Sequence, residues 1–379
     1  MASLVRRAAA RLRGAGGRDT PLVLPRRTMA SSAYAATGQA RWTVVEPATT
    51  LHRRPPVHHG SLPSGLLERV VPDLPDLGVL DLAHGITAGP YGWIVTPDGH
   101  LLPDHAFHGP GTRRRRTQQF SGRTFDVERV TGTALSIATY AGWKNYAHFL
   151  LDSVTRLHLA EAAGFPPGSV DHVIVGVPND PARRILERLG VTPDRMLETR
   201  DGIALRPERL IAPSFPGLPR NYPPWVPTYL RERLVPAGLT RHRRLYLPRT
   251  RARRILNLDE LMPMLLEHGF EVFDPELAVD PISTFAEATV VVAGHGAALA
   301  GLAFCAPGTA VLEVLPSGHQ MPYYYTLAES AGLHYGYLIA ASVPEGSPPG
   351  LPVDKVDMRV DAAAFREALE ATLERAGVA

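Results

Sequence analysis

The chain has a single cysteine, Cys305, and only two lysines, Lys144 and Lys355. One cysteine excludes an intramolecular disulfide and any cysteine-based zinc cluster. Cys305 follows Phe304 in an apolar stretch, which suits buried packing rather than nucleophilic chemistry, and a reducing compartment is the simplest expectation. With so little lysine, arginine carries nearly all the positive charge, as the codon bias of a GC-rich genome would produce. No run of about 18 uncharged apolar residues occurs, so no membrane span is expected. The net charge of +3 is small for 379 residues and lends nucleic-acid binding no support. Gly-Lys never occurs, which removes a Walker A loop, and no Gly-x-Ser-x-Gly elbow is available to a hydrolase. Asp-x-Asp is missing too, which argues against a paired-carboxylate metal site. Gly294-His295-Gly296 lacks the third glycine of a nicotinamide fingerprint. His58-His59 and the scattered histidines show no metal-ligand spacing.

What is present describes a globular α/β protein. Hydrophobic residues make up 45% and charged residues 20%, and the length suits two domains. Residues 1–40 read as a disordered basic tail, with Arg6, Arg7, Arg11, Arg13, Arg18, Arg26 and Arg27 against Asp19 alone. Such a start resembles a transit peptide, and peripheral contact with anionic lipid is a further reading beside a solvated tail. From Arg41 to about Arg123 the chain is proline-rich, with strand-like pieces at 78–82, 92–96 and 101–102. Pro97-Asp98-Gly99 is a hairpin turn signal between the last two. Arg113–Arg116 forms a charge run, read as an exposed loop or as a phosphate-facing one.

Val130–Thr139 reads as a buried strand. The sequence Asn145-Tyr146-Ala147-His148-Phe149-Leu150-Leu151-Asp152 then opens a helix to about Ala163. On an α-helix His148, Asp152 and Arg156 share one polar stripe at i, i+4 and i+8. His and Asp one turn apart form either an acid/base pair, with the carboxylate setting the imidazole tautomer, or a plain surface pair. Further strands are expected at 172–177 and within 202–211, with a helix at 181–189. Pro213–Pro227 holds six prolines and is the linker candidate. Beyond it a short helix at 228–234 precedes a βαβ alternation: strands at 244–247, 270–273, 289–293 and 310–315, and helices at 259–268 and 281–287. Such alternation implies a right-handed parallel sheet. Val290–Pro316 organises this half. Its strand ends in Gly294-His295-Gly296-Ala297, a turn whose free N–H groups suit an anion unless its glycines merely let the chain bend. Arg249, Arg251, Arg253 and Arg254 follow the strand ending at 247. They are expected on the same sheet edge, where guanidinium forks fit phosphate oxygens. Asp361–Ala376 reads as a closing amphipathic helix.

The combination of Asn145-Tyr146-x-His148-Phe149-Leu150-Leu151-Asp152, Tyr246-Leu247-Pro248-Arg249, Ala252-Arg253-Arg254, Asn257 and Gly294-His295-Gly296-Ala297 resembles glycosyltransferase family 61. The likeness is to the bacterial, capsular polysaccharide biosynthesis type and covers roughly residues 80–340. It implies a GT-B-like fold, two Rossmann-like domains facing a cleft: an acceptor-side domain at 41–225 and a nucleotide-sugar-binding domain at 226–345, with 346–379 as linker and closing helix. It further implies an inverting transfer, with no metal and no cofactor, of a hexose or pentose to a glycan, lipid-linked or cell-surface polysaccharide acceptor. Carried over by position, Arg249, Arg253, Arg254, Asn257 and Gly294–Ala297 would meet the donor diphosphate, with His295 binding or orienting it. Glu313 would take ribose hydroxyls. Asn145, His148, Asp152 and Arg156 would line the acceptor side, with His148 as base supported by Asp152, or Asp152 as base itself. The sequence departs from the family where Ala298 and Gly301 replace the commoner Gly and Asn, and where Pro248 replaces a common Ser. A catalytically silent nucleotide-sugar-binding scaffold and a hydrolase using His295 are the rival readings. A cytoplasmic location, with peripheral contact at the inner membrane face as its variant, is the matching expectation.

Overall fold

The computed structural model describes residues 20–105, 122–217, 221–343 and 352–378, and within these the chain divides into two units. One comprises residues 20–49 and 73–217, the other 50–72 and 221–378. The break near residue 219 falls inside the proline-rich stretch expected to link two domains. The span 41–225 is not one domain, however, because 50–72 belongs to the second unit. There Val57–His59 adds a parallel strand beside His334–Ser342. Both units are α/β.

The first unit holds a ten-stranded mixed sheet. Its parallel part runs Met196–Glu198, His172–Val175, Thr124–Ser136, Ile203–Pro213. Leu77–Ala83 and Ile86–Ala88 then pair antiparallel with the last of these, and Trp93–Val95 and Leu101–Leu102 extend the meander. The expected hairpin at 97–99 closes this edge, with Gly99 at φ +87°, a left-handed conformation that costs glycine little. Residues 20–40 depart from the disordered tail expected of them. Leu22–Val23 pairs with Thr124–Phe125, and Leu24 is buried with Trp93 and Phe125. Ser31–Ala35 is helical, with Tyr34 buried. Two paired residues suffice to seat Leu24 in the core, which is too short a signal to read through the flanking prolines. The rest of that tail, residues 1–19, and the Arg113–Arg116 run lie outside the described residues.

In the second unit Met358–Arg359 adds an antiparallel strand beside His334–Ser342, and the parallel part of the sheet runs Glu271–Val272, Arg243–Leu247, Ala288–Gly294, Ala310–Pro316, His334–Ser342. In chain order these are strands 2-1-3-4-5, a doubly wound sheet. The strands are apolar on both faces because helices cover both. Val290, Val292, Leu312 and Val314 pack against Leu261 and Leu265 of the helix Leu258–Glu267 and Phe365, Leu369 and Leu373 of Ala362–Arg375. A 3₁₀ helix, Ala297–Phe304, meets the helices Pro281–Ala286, Tyr323–Ser330 and Trp225–Leu234. Cys305 is fully buried, and burial pushes its thiol up to about 12, in keeping with a packing role.

Candidate functional site

In a 2-1-3-4-5 sheet the chain leaves strands 1 and 3 in opposite directions, and a crevice opens beyond their carboxyl ends. Here those ends are Leu247 and Gly294, adjacent strands in register from Tyr246–Val292 to Leu247–Ala293. The arginine loop leaves one and the glycine turn the other, so the fold brings both to the switch point.

Their contact is close. A Cβ on Gly296 would lie 2.2 Å from Arg249 Nη1, and one on Gly294 would lie 3.2 Å from Arg249 Cγ. Gly296 has φ −179°, open to any residue, so the arginine, not the backbone, requires glycine there. Arg249 donates from Nε and Nη2 to the Ala252 carbonyl at 3.1 and 2.9 Å, which folds the loop on itself. Arg253 donates from Nε to the His295 carbonyl at 3.0 Å and from Nη1 to Asp354 O at 2.7 Å. It does so from φ +56°, a left-handed conformation that costs a non-glycine residue about 1–2 kcal/mol. Burial lowers the pKa of both guanidinium groups, and for Arg249 the charge of Arg253 lowers it further. Two cations share a half-buried site, therefore, and an anion between them would relieve both. Among the described residues nothing accepts from Arg249 Nη1 or Arg253 Nη2.

The other donor-side candidates divide. Arg254 is committed to Asp357, with Nε at 2.9 Å, Nη2 at 2.6 Å and its backbone N–H at 2.8 Å. Asn257 is buried and bonded on both sides of its amide, to Val360 and Glu260. Both pin the arginine loop to residues 357–360. Glu313 is not a free ribose ligand, since it is fully buried and both its oxygens accept. His295 Nδ1 donates at 2.5 Å to one and the Tyr335 hydroxyl donates to the other. His295 is itself nearly buried, its ring 5.1 Å from that of His319 and 5.2 Å from that of Tyr324. His319, Tyr324 and Tyr335 were not legible as site residues, because no motif spacing ties them to the turn.

In the first unit, Asn145 caps the helix that carries His148, accepting from the N–H groups of Ala147 and His148 at 2.9 and 3.3 Å. The helix is not uniformly α, as its spacing suggested. Tyr146–His148 passes into a π segment, Phe149–Val154, before α geometry resumes at Arg156–Ala162. His148 Nδ1 meets Asp152 Oδ2 at 2.6 Å, with Asp152 almost wholly buried and His148 at 19% side-chain exposure. That geometry is tighter than a surface pair.

Arg156 is no member of an exposed stripe. It is fully buried and donates to the carbonyls of Ala138, at 2.7 Å, and Pro213. Burial lowers its pKa to about 9, and the charge of Asp152 opposes that fall. The Pro213 carbonyl also accepts from His105 Nδ1 at 2.8 Å, while Ser31 Oγ donates to Nε2 at 2.8 Å. Burial, and then Arg156, drive the His105 pKa down to about 4, so this imidazole stays neutral.

Residues 146–312 match the family model Glycosyltransferase 61. The glycosyltransferase 61 match begins at the helix of His148 and ends one residue before Glu313, so it spans the His–Asp pair, the arginine loop and the glycine turn. It supports a glycosyltransferase. No curated protein matches the chain. Among the described residues, no group of three or more His, Cys, Asp or Glu is placed to hold a metal ion, and no helix is long and apolar enough to cross a membrane.

Proposed function

We propose that this chain is an inverting glycosyltransferase of GT-B-like organisation. Its second unit holds a nucleotide-sugar donor and its first unit presents a glycan, lipid-linked or polysaccharide acceptor. The observation that carries the reading is the pairing of Arg249 and Arg253 with the Gly294–Ala297 turn at the switch point of a doubly wound sheet. A half-buried pair of guanidinium groups with unoccupied N–H donors, beside backbone amides, complements a diphosphate. Two such cations also supply the charge that a divalent ion brings to a leaving diphosphate, and on that ground we propose a metal-independent reaction.

His148 is the base, its Nδ1–H directed to Asp152 so that Nε2 receives the acceptor's hydroxyl proton. The freed oxygen pair attacks the anomeric carbon, the bond to the phosphate oxygen breaks, and its electrons go to the diphosphate, where Arg249 and Arg253 stabilise them. The transferred sugar, hexose or pentose, is set by pocket contacts beyond this frame. We place the reaction at the cytoplasmic side, in solution or peripheral to the membrane, which cell fractionation would test.

The decisive experiment incubates the protein with a panel of nucleotide sugars, with and without chelator, and measures nucleoside diphosphate release. Release that survives chelation is expected. Arg249→Ala should lower kcat/KM about 100-fold or more, the effect of removing one preorganised donor, while the fold persists. Binding without release would identify a silent scaffold, and full activity in Arg249→Ala would refute the cradle.

A further inference from the structure

Behind the glycine turn lies a buried chain of three titratable groups, His295, Glu313 and Tyr335, of which the last two lie beyond the glycosyltransferase 61 match. Glu313, in the strand Ala310–Pro316, and Tyr335, in His334–Ser342, lie on one face of neighbouring strands, offset by two residues from the direct pairing of Glu313 with Tyr337. Glu313 has no solvent exposure and meets His295 Nδ1 on one oxygen and Tyr335 on the other. Burial, and then the charge of Glu313, push the Tyr335 phenol well above its ordinary range, so it stays protonated and donates. A carboxylate can only accept, so the Nδ1 proton also points at Glu313. The imidazole is thereby fixed in one orientation. Its Nε2 has no hydrogen-bond partner among the described residues, and its carbonyl is held by Arg253. The groups around the ring are Glu313 on one side, Arg253 at its carbonyl, Arg249 at the adjoining Gly296, and the rings of His319, T-shaped to it, and Tyr324, tilted against it.

We propose that Tyr335 and Glu313 are positioning residues that hold His295 as the third cation of the diphosphate cradle, with Nε2–H donating to the leaving phosphate. This deepens, and rests on, the donor-site reading above. An imidazole that donates from Nδ1 to a carboxylate can donate from Nε2 to a phosphate only with a proton on both nitrogens. With the diphosphate seated, His295 carries a proton on each nitrogen. As the glycosidic bond breaks and its electron pair settles on the phosphate, the Nε2–H bond strengthens without any proton having to transfer. Only an imidazolium donates from both ring nitrogens, so a His295 that donates to Glu313 and to the phosphate at once gives a binding advantage that low pH favours and high pH removes.

The test measures binding of inorganic pyrophosphate from pH 6 to 9 by the wild type, His295→Gln, Glu313→Gln and Tyr335→Phe, with circular dichroism to check folding. The wild type should bind about tenfold more tightly than His295→Gln at pH 6, and the ratio should approach one at pH 9. Glu313→Gln should behave as His295→Gln does. Tyr335→Phe, which leaves Glu313 in place, should keep the pH dependence at a several-fold lower affinity. Should Glu313→Gln fail to fold, the His295→Gln ratio and Tyr335→Phe still decide. A ratio that does not vary with pH, a Glu313→Gln protein with the full low-pH advantage, or a wild type that does not bind pyrophosphate overturns the proposal. Turnover of nucleotide sugars is scored separately. Pyrophosphate binding with the expected pH dependence but no release from any donor would retain the relay and remove the transferase.

Discussion

Gly296 and Gly301 stand close together in the turn and 3₁₀ helix of the donor site, and each is glycine because of a different neighbour. At Gly296 an added Cβ meets the end of Arg249, 2.2 Å from Nη1. At Gly301 it meets the ring of Phe285, 2.0 Å from Cε2, and that ring is itself buried and edge-on to Phe273. A flexible guanidinium can move away, whereas a packed ring cannot. Gly296→Ala should therefore leave stability within about 1 kcal/mol and weaken donor or pyrophosphate binding about tenfold, measured by calorimetric titration. Gly301→Ala should destabilise the protein by about 1–3 kcal/mol in chemical denaturation, the cost of overpacking a filled core. The same contact explains why this chain carries glycine where its resemblance would place an asparagine. At residue scale the motif positions were legible as types, but their partners were not. Asn257 and Arg254 read like donor ligands, and the structure hydrogen-bonds them to residues 357–360. Glu313 reads like a ribose ligand, and the structure buries it against His295 and Tyr335.

At the scale of elements, the His148 helix shows how a local irregularity holds a site. The cap at Asn145 fixes the first turn, and the π segment Phe149–Val154 follows immediately and contains Asp152. π segments are rare and recur at functional sites, because the widened turn re-aims side chains. Removal of the cap should loosen the start of this element. Asn145→Ala is expected to cost about 1 kcal/mol of stability and to lower turnover several-fold with little change in KM for the donor, which steady-state kinetics would show. The periodicity of 145–163 announced a helix and placed His148 and Asp152 one turn apart, as found. It could not announce the π geometry, nor that Arg156 would turn inward to the carbonyls of Ala138 and Pro213.

Across the whole molecule, the two units differ in what holds them. The second is a largely parallel apolar sheet between helices, with Arg249 and Arg253 beyond the carboxyl ends of its strands. The first carries a buried polar chain in which Ser31, His105, the Pro213 carbonyl and Arg156 join the early helix, the 103–105 turn and the long parallel strand. His105 sets a pH limit on that arrangement. Its folded-state pKa lies near 4 against an ordinary 6.5, so the unfolded chain takes up a proton first as pH falls. The stability this confers is complete above about pH 6.5 and drains away towards pH 4, by roughly 3 kcal/mol if the shift is fully expressed. Denaturant titrations between pH 7.5 and 4, followed by tryptophan fluorescence, should show that loss. His105→Gln should flatten the pH dependence, and an unchanged slope would count against His105 as its source.

The sequence by itself determined the α/β class, the strand and helix succession from about residue 243 to 316, and the chemical types gathered in the arginine loop, the glycine turn and the His–Asp helix. These are local matters, written in periodicities of two and 3.6 and in the glycines and prolines that interrupt them. Only the tertiary structure decided that Val57–His59 joins the second sheet, that the first sheet is mixed, and that Tyr335 reaches Glu313 behind His295. Those outcomes depend on contacts between distant segments, and the same residue types satisfy many such pairings until the packing selects one.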